Sequence, residues 1–134
     1  VGNHTVFANA ASLAGHVEVG DYAILGGFAA VHQFTIVGRK SLCGIGSVVV
    51  QDVPPYSTVA GDRARTIGIN KEGLRRKGFS PELIRALHKA FRELLKSRIN
   101  RTEAFENLKP LCEKYPEVDE FVNFVRNSER GIGR

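Results

Sequence analysis

From the first residue onward an apolar side chain returns every six positions: Val1, Phe7, Leu13, Val19, Leu25, Val31, Val37, Cys43 and Val49. In a chain that is 43% apolar, nine consecutive hits have a chance of about five in ten thousand per frame, so the period belongs to the fold. The next position is mostly small (Gly2, Ala8, Ala14, Gly20, Gly26, Gly38, Gly44), with His32 and Val50 as exceptions. The fourth position after each apolar residue, from Thr5 to Val53, is small or β-branched. Neither an α-helix nor a long strand repeats every six residues. A short strand plus a corner does, with one side chain per hexad pointing inward and small residues where the chain bends. Three such faces close a triangular coil of about 18 residues, so residues 1–56 are predicted to form about three coils of a parallel β-helix. The register is already complete at Val1, and an uncapped coil exposes apolar side chains and strand edges. The expectation is therefore the C-terminal part of a longer solenoid, the alternative being a three-coil protein capped by another subunit.

The paired prolines of Gln51-Asp52-Val53-Pro54-Pro55-Tyr56 remove donors that a coil ladder uses, and the repeat is expected to stop there. Residues 57–78 read as an extended, glycine-spaced connector. Residues 79–134 read as a helical domain. Ser80-Pro81-Glu82 is a helix start, and Leu83, Ile84, Leu87, Phe91, Leu94 and Leu95 form a helical stripe over 81–98. Thr102 is expected to cap a second helix and Pro116 to open a third, giving a small bundle.

The chain has 134 residues and a formal charge of +5, a size that bounds it to one domain, or one domain plus an appendix. Residues 1–56 are net −1, whereas 63–101 hold twelve basic and three acidic residues. That local stripe faces either an anionic partner or solvent. No apolar run is long enough to span a membrane, and the first residues lack the pattern of a signal peptide, so the expected compartment is the cytoplasm. Cys43 and Cys112 have no metal-ligand spacing and are expected to be free thiols; no metal and no cofactor is expected. Nucleic-acid binding through 63–101 lacks interleaved aromatics and a motif, so no nucleic-acid partner is expected.

Four runs carry a family resemblance: Leu13-Ala14-Gly15-His16, Ala30-Val31-His32-Gln33-Phe34, Gln51 to Tyr56, and Gly68-Ile69-Asn70-Lys71-Glu72-Gly73-Leu74-Arg75-Arg76-Lys77-Gly78-Phe79. With Tyr115-Pro116-Glu117-Val118 in the tail, the whole chain resembles the C-terminal half of the acyl-[acyl-carrier-protein]–UDP-N-acetylglucosamine O-acyltransferases. The segment Asn70 to Phe79 is the most specific, since many acyltransferases share the hexads. The resemblance implies a left-handed coil, a homotrimer with sites between neighbouring β-helices, and the first step of lipid A biosynthesis. That step transfers an (R)-3-hydroxyacyl chain from acyl carrier protein to the 3-hydroxyl of UDP-N-acetylglucosamine. A related N-acyltransferase shares the hexads, but the runs from Asp52 and Asn70 argue against it.

The family's general-base histidine lies just upstream of the segment matching Val1-Gly2-Asn3, so this chain is expected to lack it. Gly15 matches the residue whose N–H holds the oxyanion, and His16 a histidine that orients substrate. His32 and Gln33 match positions near the nucleotide, and Asn70, Glu72, Arg76 and Lys77 match connector positions that reach it, often from a neighbouring subunit. Lys77 stands where arginine is usual, which removes a bidentate phosphate contact. From the residues alone, either histidine could equally be a hydrogen-bonded surface group of the coil. Where the family has glycine, Ile45 shortens the acyl channel that Ile24, Gly27 and Leu42 would also line, and a shorter acyl chain is expected; Gly46 could restore the space by a local shift. Arg75, Arg85, Lys89 and Arg92 are candidates for docking the acidic carrier protein, or form a solvated face. A non-catalytic trimeric binding or scaffold module is the competing reading.

Overall fold

The computed structural model describes residues 1–134. Its first part is a left-handed parallel β-helix of two-residue strands: β1 (Val6–Phe7), β2 (Ser12–Leu13), β3 (Glu18–Val19), β4 (Ile24–Leu25), β5 (Ala30–Val31), β6 (Ile36–Val37), β7 (Leu42–Cys43) and β8 (Val48–Val49). Strands three hexads apart pair in parallel: Phe7 with Leu25, Leu13 with Val31, Val19 with Val37, Leu25 with Cys43, and Val31 with Val49. Three faces result, built on β1-β4-β7, on β2-β5-β8 and on β3-β6. The second residue of each strand points inward, and Leu25, Val37 and Cys43 are fully buried. Ala23, Ala29, Thr35, Ser41 and Ser47 fill the corners from inside with no exposed surface, which explains why that position is small or β-branched.

The corners turn by a device different from the one the glycines suggested. Three residues after each inward side chain the backbone is left-handed: His4, Ala10, His16, Tyr22, Phe28, Phe34, Lys40 and Gly46 have φ between 54° and 69°. All but the last are not glycine, and each costs about 1–2 kcal/mol of local strain. The glycines directly after the inward residue serve close approach instead. A Cβ on Gly20 would lie 2.5 Å from the Arg39 nitrogen, and one on Gly26 2.7 Å from that of Ile45. Corner residues of successive coils bond to one another: the N–H of Tyr22, Phe28 and Phe34 donates to the carbonyls of Asn3, Asn9 and Gly15 at 2.9–3.1 Å.

The prolines do not end the coil. Val53 faces Val37, and Val59 faces Cys43, so each of these steps falls short of three hexads by the same amount. Two residues are missing from one corner, between Val49 and Val53, after which the register resumes. Pro54 and Pro55 are tolerated because of where they fall. The equivalent N–H groups of the preceding coil are that of Gly38, which bonds downward to Val53, and that of Arg39, which bonds to nothing. Neither prolyl nitrogen is asked for a donor, and Tyr56 (φ 67°) resumes the left-handed corner.

Residues 57–78 therefore differ from the extended connector expected. Strand β9 (Ser57–Ala60) extends the first face, β10 (Arg65–Ile69) folds back on it antiparallel, and a short helix α1 (Lys71–Arg76) follows. Helix α2 (Pro81–Phe91) starts at Ser80, whose hydroxyl accepts from the Leu83 N–H, and continues through a π-helical turn, Arg92–Lys96. Asn100, not Thr102, caps α3 (Arg101–Lys114), because its side chain reaches the Glu103 N–H at 2.8 Å. Helix α4 (Pro116–Asn127) completes the bundle. The helical core holds Leu87, Leu108, Phe121 and Val122, and Tyr56 and Ile69 join it from the coil side.

A polar clamp ties the two parts. Arg39 donates to both Glu120 oxygens at 3.0 and 2.8 Å and to the Tyr56 hydroxyl at 2.7 Å, and Tyr56 in turn donates to Glu120. Burial, then the hydrogen bond to Glu120, raises the Tyr56 phenol well above the ordinary tyrosine range. The C-terminal segment returns to the shortened corner, where Asp52 accepts from the Ile36 N–H at 2.9 Å and from Ser128 at 2.6 Å.

If glycine serves coil approach, substitution should sort by position. Gly20→Ala is expected to destabilise by about 1–3 kcal/mol through overpacking. Gly15→Ala, whose Cβ would meet nothing within 4 Å, is expected to change stability by less than about 0.5 kcal/mol. Urea midpoints of the two variants compare them directly.

Candidate functional site

The residues singled out from the sequence fall on three different corners. The corner between the β2-β5-β8 face and the β3-β6 face carries Gly15 and His16 in one coil, and His32, Gln33 and Phe34 in the next. His16 stacks on Phe34 with ring centroids 5.0 Å apart and planes within 2°. That distance matches the strand spacing of about 4.8 Å, because equivalent corner residues are one coil apart. The Gly15 N–H has no partner, and the space around its Cα is open. Unpaired N–H groups recur at this place in the other corners, at Gly27 and Ile45 for example. At Gly15 an imidazole, that of His16, follows directly in the chain.

His32 is held by a residue that sequence reading missed. Arg130, from the C-terminal segment, donates through Nε and one terminal nitrogen to the Val50 carbonyl at 3.2 and 3.1 Å. The same terminal nitrogen stands 3.2 Å from His32 Nδ1, which is also 3.2 Å from the Gln33 carbonyl. The guanidinium can only donate and the Gln33 carbonyl can only accept, so the two contacts ask opposite roles of Nδ1: toward Arg130 it accepts and the neutral ring carries its proton on Nε2, toward Gln33 it donates. In the tautomer that Arg130 favours, the His32 Nε2–H is left as a donor for a ligand.

The connector residues lie at the corner joining the β3-β6 face to the β1-β4-β7 face. Asn70 donates to the Lys40 carbonyl at 3.3 Å. Lys77 Nζ lies 3.9 Å above the Tyr22 ring, which stacks on His4 at 4.9 Å. Lys40 Nζ approaches the same ring at 5.0 Å, and burial followed by the Arg39 and Lys77 charges lowers its pKa below the usual lysine value. Glu72 is engaged within α1 by Arg75 at 2.5 Å and Arg76 at 3.2 Å. The Arg75 hydrogen bond, then its charge, holds the Glu72 carboxyl below the ordinary range. Tyr22 and Lys40, also missed, stand one coil apart in the same corner column; reading the sequence in steps of three hexads would have aligned them.

On the third corner Ile45 sits one coil below Gly27 and is 84% exposed. Gly46 takes the left-handed position with φ 69°, in column with Ala10 and Phe28, so it does not restore the space that Ile45 occupies. Ile24 and Leu42, paired across β4 and β7, lie on the outer side of the adjoining face. Arg85, Lys89 and Arg92 of the basic set line one groove with His88, Lys96 and Glu93. Arg75 is not part of it. Burial, then Lys71 and Arg92, lowers the His88 pKa below the ordinary histidine value. Both cysteines are free, and burial pushes the Cys43 thiol up to about 12. No group of three His, Cys, Asp or Glu side chains is placed to hold a metal, and no helix is long and apolar enough to cross a membrane.

A family model described as UDP-N-acetylglucosamine O-acyltransferase, domain 2, matches residues 52–133. Over all 134 residues the chain is 48% identical to the acyl-[acyl-carrier-protein]–UDP-N-acetylglucosamine O-acyltransferase of Thiobacillus denitrificans and 49% identical to that of Alkalilimnicola ehrlichii. It covers 52% of each, so the chain spans about half the length of the curated relatives it matches. Among solved structures it is similar to LpxA from Acinetobacter baumannii, with a TM-score of 0.93 and 38% identity over 100% of this chain and 52% of that one. The UDP-N-acetylglucosamine O-acyltransferase of Moraxella catarrhalis gives a TM-score of 0.92 at 39% identity, with the same coverage.

The Arg130 contact has a spectroscopic consequence. At a pH where the ring is neutral, the histidine nitrogen-15 shifts of His32 should report an Nε2–H population held by Arg130, and Arg130→Ala should raise the Nδ1–H population that donates to the Gln33 carbonyl. An unchanged spectrum in the variant would assign the tautomer to some other contact.

Proposed function

Because the chain belongs to the UDP-N-acetylglucosamine O-acyltransferase family, we propose that it is the C-terminal portion of an enzyme transferring an (R)-3-hydroxyacyl chain from acyl carrier protein to the 3-hydroxyl of UDP-N-acetylglucosamine. The observation that carries this reading is the identity of 48–49% along the entire chain to two such enzymes. In this reading the unpaired Gly15 N–H receives the oxyanion that forms when the sugar oxygen attacks the thioester carbon. His16, braced on Phe34, orients the acceptor, and His32 with Gln33 offers donors to the nucleotide. The base that removes the sugar proton is not among these matched positions.

The separation of these residues onto three corners supports assembly. One chain presents histidines on one corner, the connector on another, and Gly27 and Ile45 on the third, so no single copy surrounds a substrate. Packed as a homotrimer, with a corner of one coil against the face of its neighbour, the three groups would meet between subunits. Phe28 and Phe34, 69% and 56% exposed, are suited to such contacts. The groove lined by Arg85, Lys89 and Arg92 is a surface for the acidic carrier protein, since like charges gathered along one helix face attract an anionic domain. Arg76 and Lys77 serve the nucleotide phosphates from the connector.

The test is acyl transfer to UDP-N-acetylglucosamine from 3-hydroxyacyl carrier proteins, run on the natural gene product with its oligomeric mass recorded. Failure of any donor to react would overturn the reading. Ile45 adds a sharper expectation. Wild type should favour short donors, and Ile45→Gly should move the kcat/KM optimum to longer ones, by about fourfold for each additional methylene that gains burial. An optimum that does not move would remove Ile45 from the channel.

A further inference from the structure

The shortened corner leaves a cleft of about 530 Å³ between the coil, the β9–β10 hairpin and the C-terminal segment, lined by Arg63, Arg65, Arg130 and Arg134 with Val50 and Gln51. None of the four guanidinium groups has a carboxylate partner; the ion pairs of the molecule involve Arg39, Arg75, Arg76, Arg85 and Lys109 instead. Four guanidinium groups thus share one concave surface that no Asp or Glu side chain lines, an arrangement that an anion relieves.

The cleft is organised rather than incidental. Arg130 is fixed on the Val50 carbonyl by two donors and Arg134 on the Leu95 carbonyl by one at 3.3 Å, which leaves further N–H groups of each unused. Arg63 and Arg65 flank Ala64, which is 8% exposed and whose N–H bonds to the Val48 carbonyl. With Ala64 turned inward, alternation places both arginine side chains on the outer side. Neither side chain makes any hydrogen bond within the protein. No aromatic ring lines the cleft, so it has nothing on which a base could stack. Planar, forked donors in this number suit the oxygens of linked phosphates.

We propose that this cleft is a binding site for a diphosphate group. It is distinct from the connector, whose Lys77 lies over Tyr22 at another corner, and it does not depend on the acyl-transfer reading. The diphosphate is either free pyrophosphate or that of a nucleotide, and the two sources are separable.

Isothermal titration of the natural gene product with pyrophosphate, at physiological ionic strength, tests the site. The Arg63→Gln/Arg65→Gln double variant removes two guanidiniums that hold nothing in the fold, and is expected to weaken pyrophosphate binding by about tenfold or more. Arg85→Gln/Lys89→Gln removes the same charge from the α2 groove and should change it by less than about twofold. Equal weakening in both variants would mean diffuse attraction, and no binding to the wild type would mean no site; either overturns the proposal. Parallel titrations with UDP identify the source. A matching loss for UDP in the first variant assigns the site to a nucleotide diphosphate, and a loss confined to pyrophosphate assigns it to the free anion. Absence of acyl transfer would leave these titrations unaffected.

Discussion

Everything in this molecule hangs on the backbone ladder between successive coils. Because the strands are so short, no face is stable by itself, and each coil exists only against the next. The ladder reaches through the corners as well, where from Tyr22 onward the N–H of each left-handed corner residue bonds to a carbonyl one coil earlier. Those bonds, with the buried inward side chains, offset about 1–2 kcal/mol of strain at each non-glycine corner that makes one. The close approach they impose is what glycine serves at Gly20 and Gly26, where a Cβ would strike the neighbouring backbone.

The same ladder determines how chemistry can be arranged. Residues three hexads apart become neighbours in a column, with aromatic rings stacked at the coil spacing: His16 on Phe34, His4 on Tyr22. A solenoid can therefore line up functional groups along a corner with little flexibility. It cannot wrap them around a ligand, because its corners diverge. Gly15 and His16, Asn70 and Lys77, and Gly27 and Ile45 lie on separate corners, which is why the proposed function sets its site between chains.

One deletion has consequences at long range. Shortening a single corner leaves no left-handed residue below Phe34. Asp52 fills part of the gap with its carboxylate, and the C-terminal segment covers the rest. That return places Arg130 against His32, far away in sequence, and gathers the arginine cleft. Attachment of the bundle depends on a different corner, where Arg39, Tyr56 and Glu120 share hydrogen bonds across the boundary.

The hexad period alone determined the coil, the inward residues and the small side chains inside the corners, because each depends on local repetition that a linear sequence displays. The start of α2 at Ser80 was legible for the same reason: a capping hydroxyl, a proline and an apolar stripe are short-range signals. The continuation past Pro54 and Pro55 was not, since whether a proline is tolerated depends on which N–H the neighbouring coil requires. Nor was the register of Gly46, which only the corner geometry distinguishes from that of Ile45. The seat of Lys77 over Tyr22, and the hold of Arg130 on His32, were decided by tertiary structure, because they join residues that no repeat relates and that meet only when the connector and the chain end fold back on the coil.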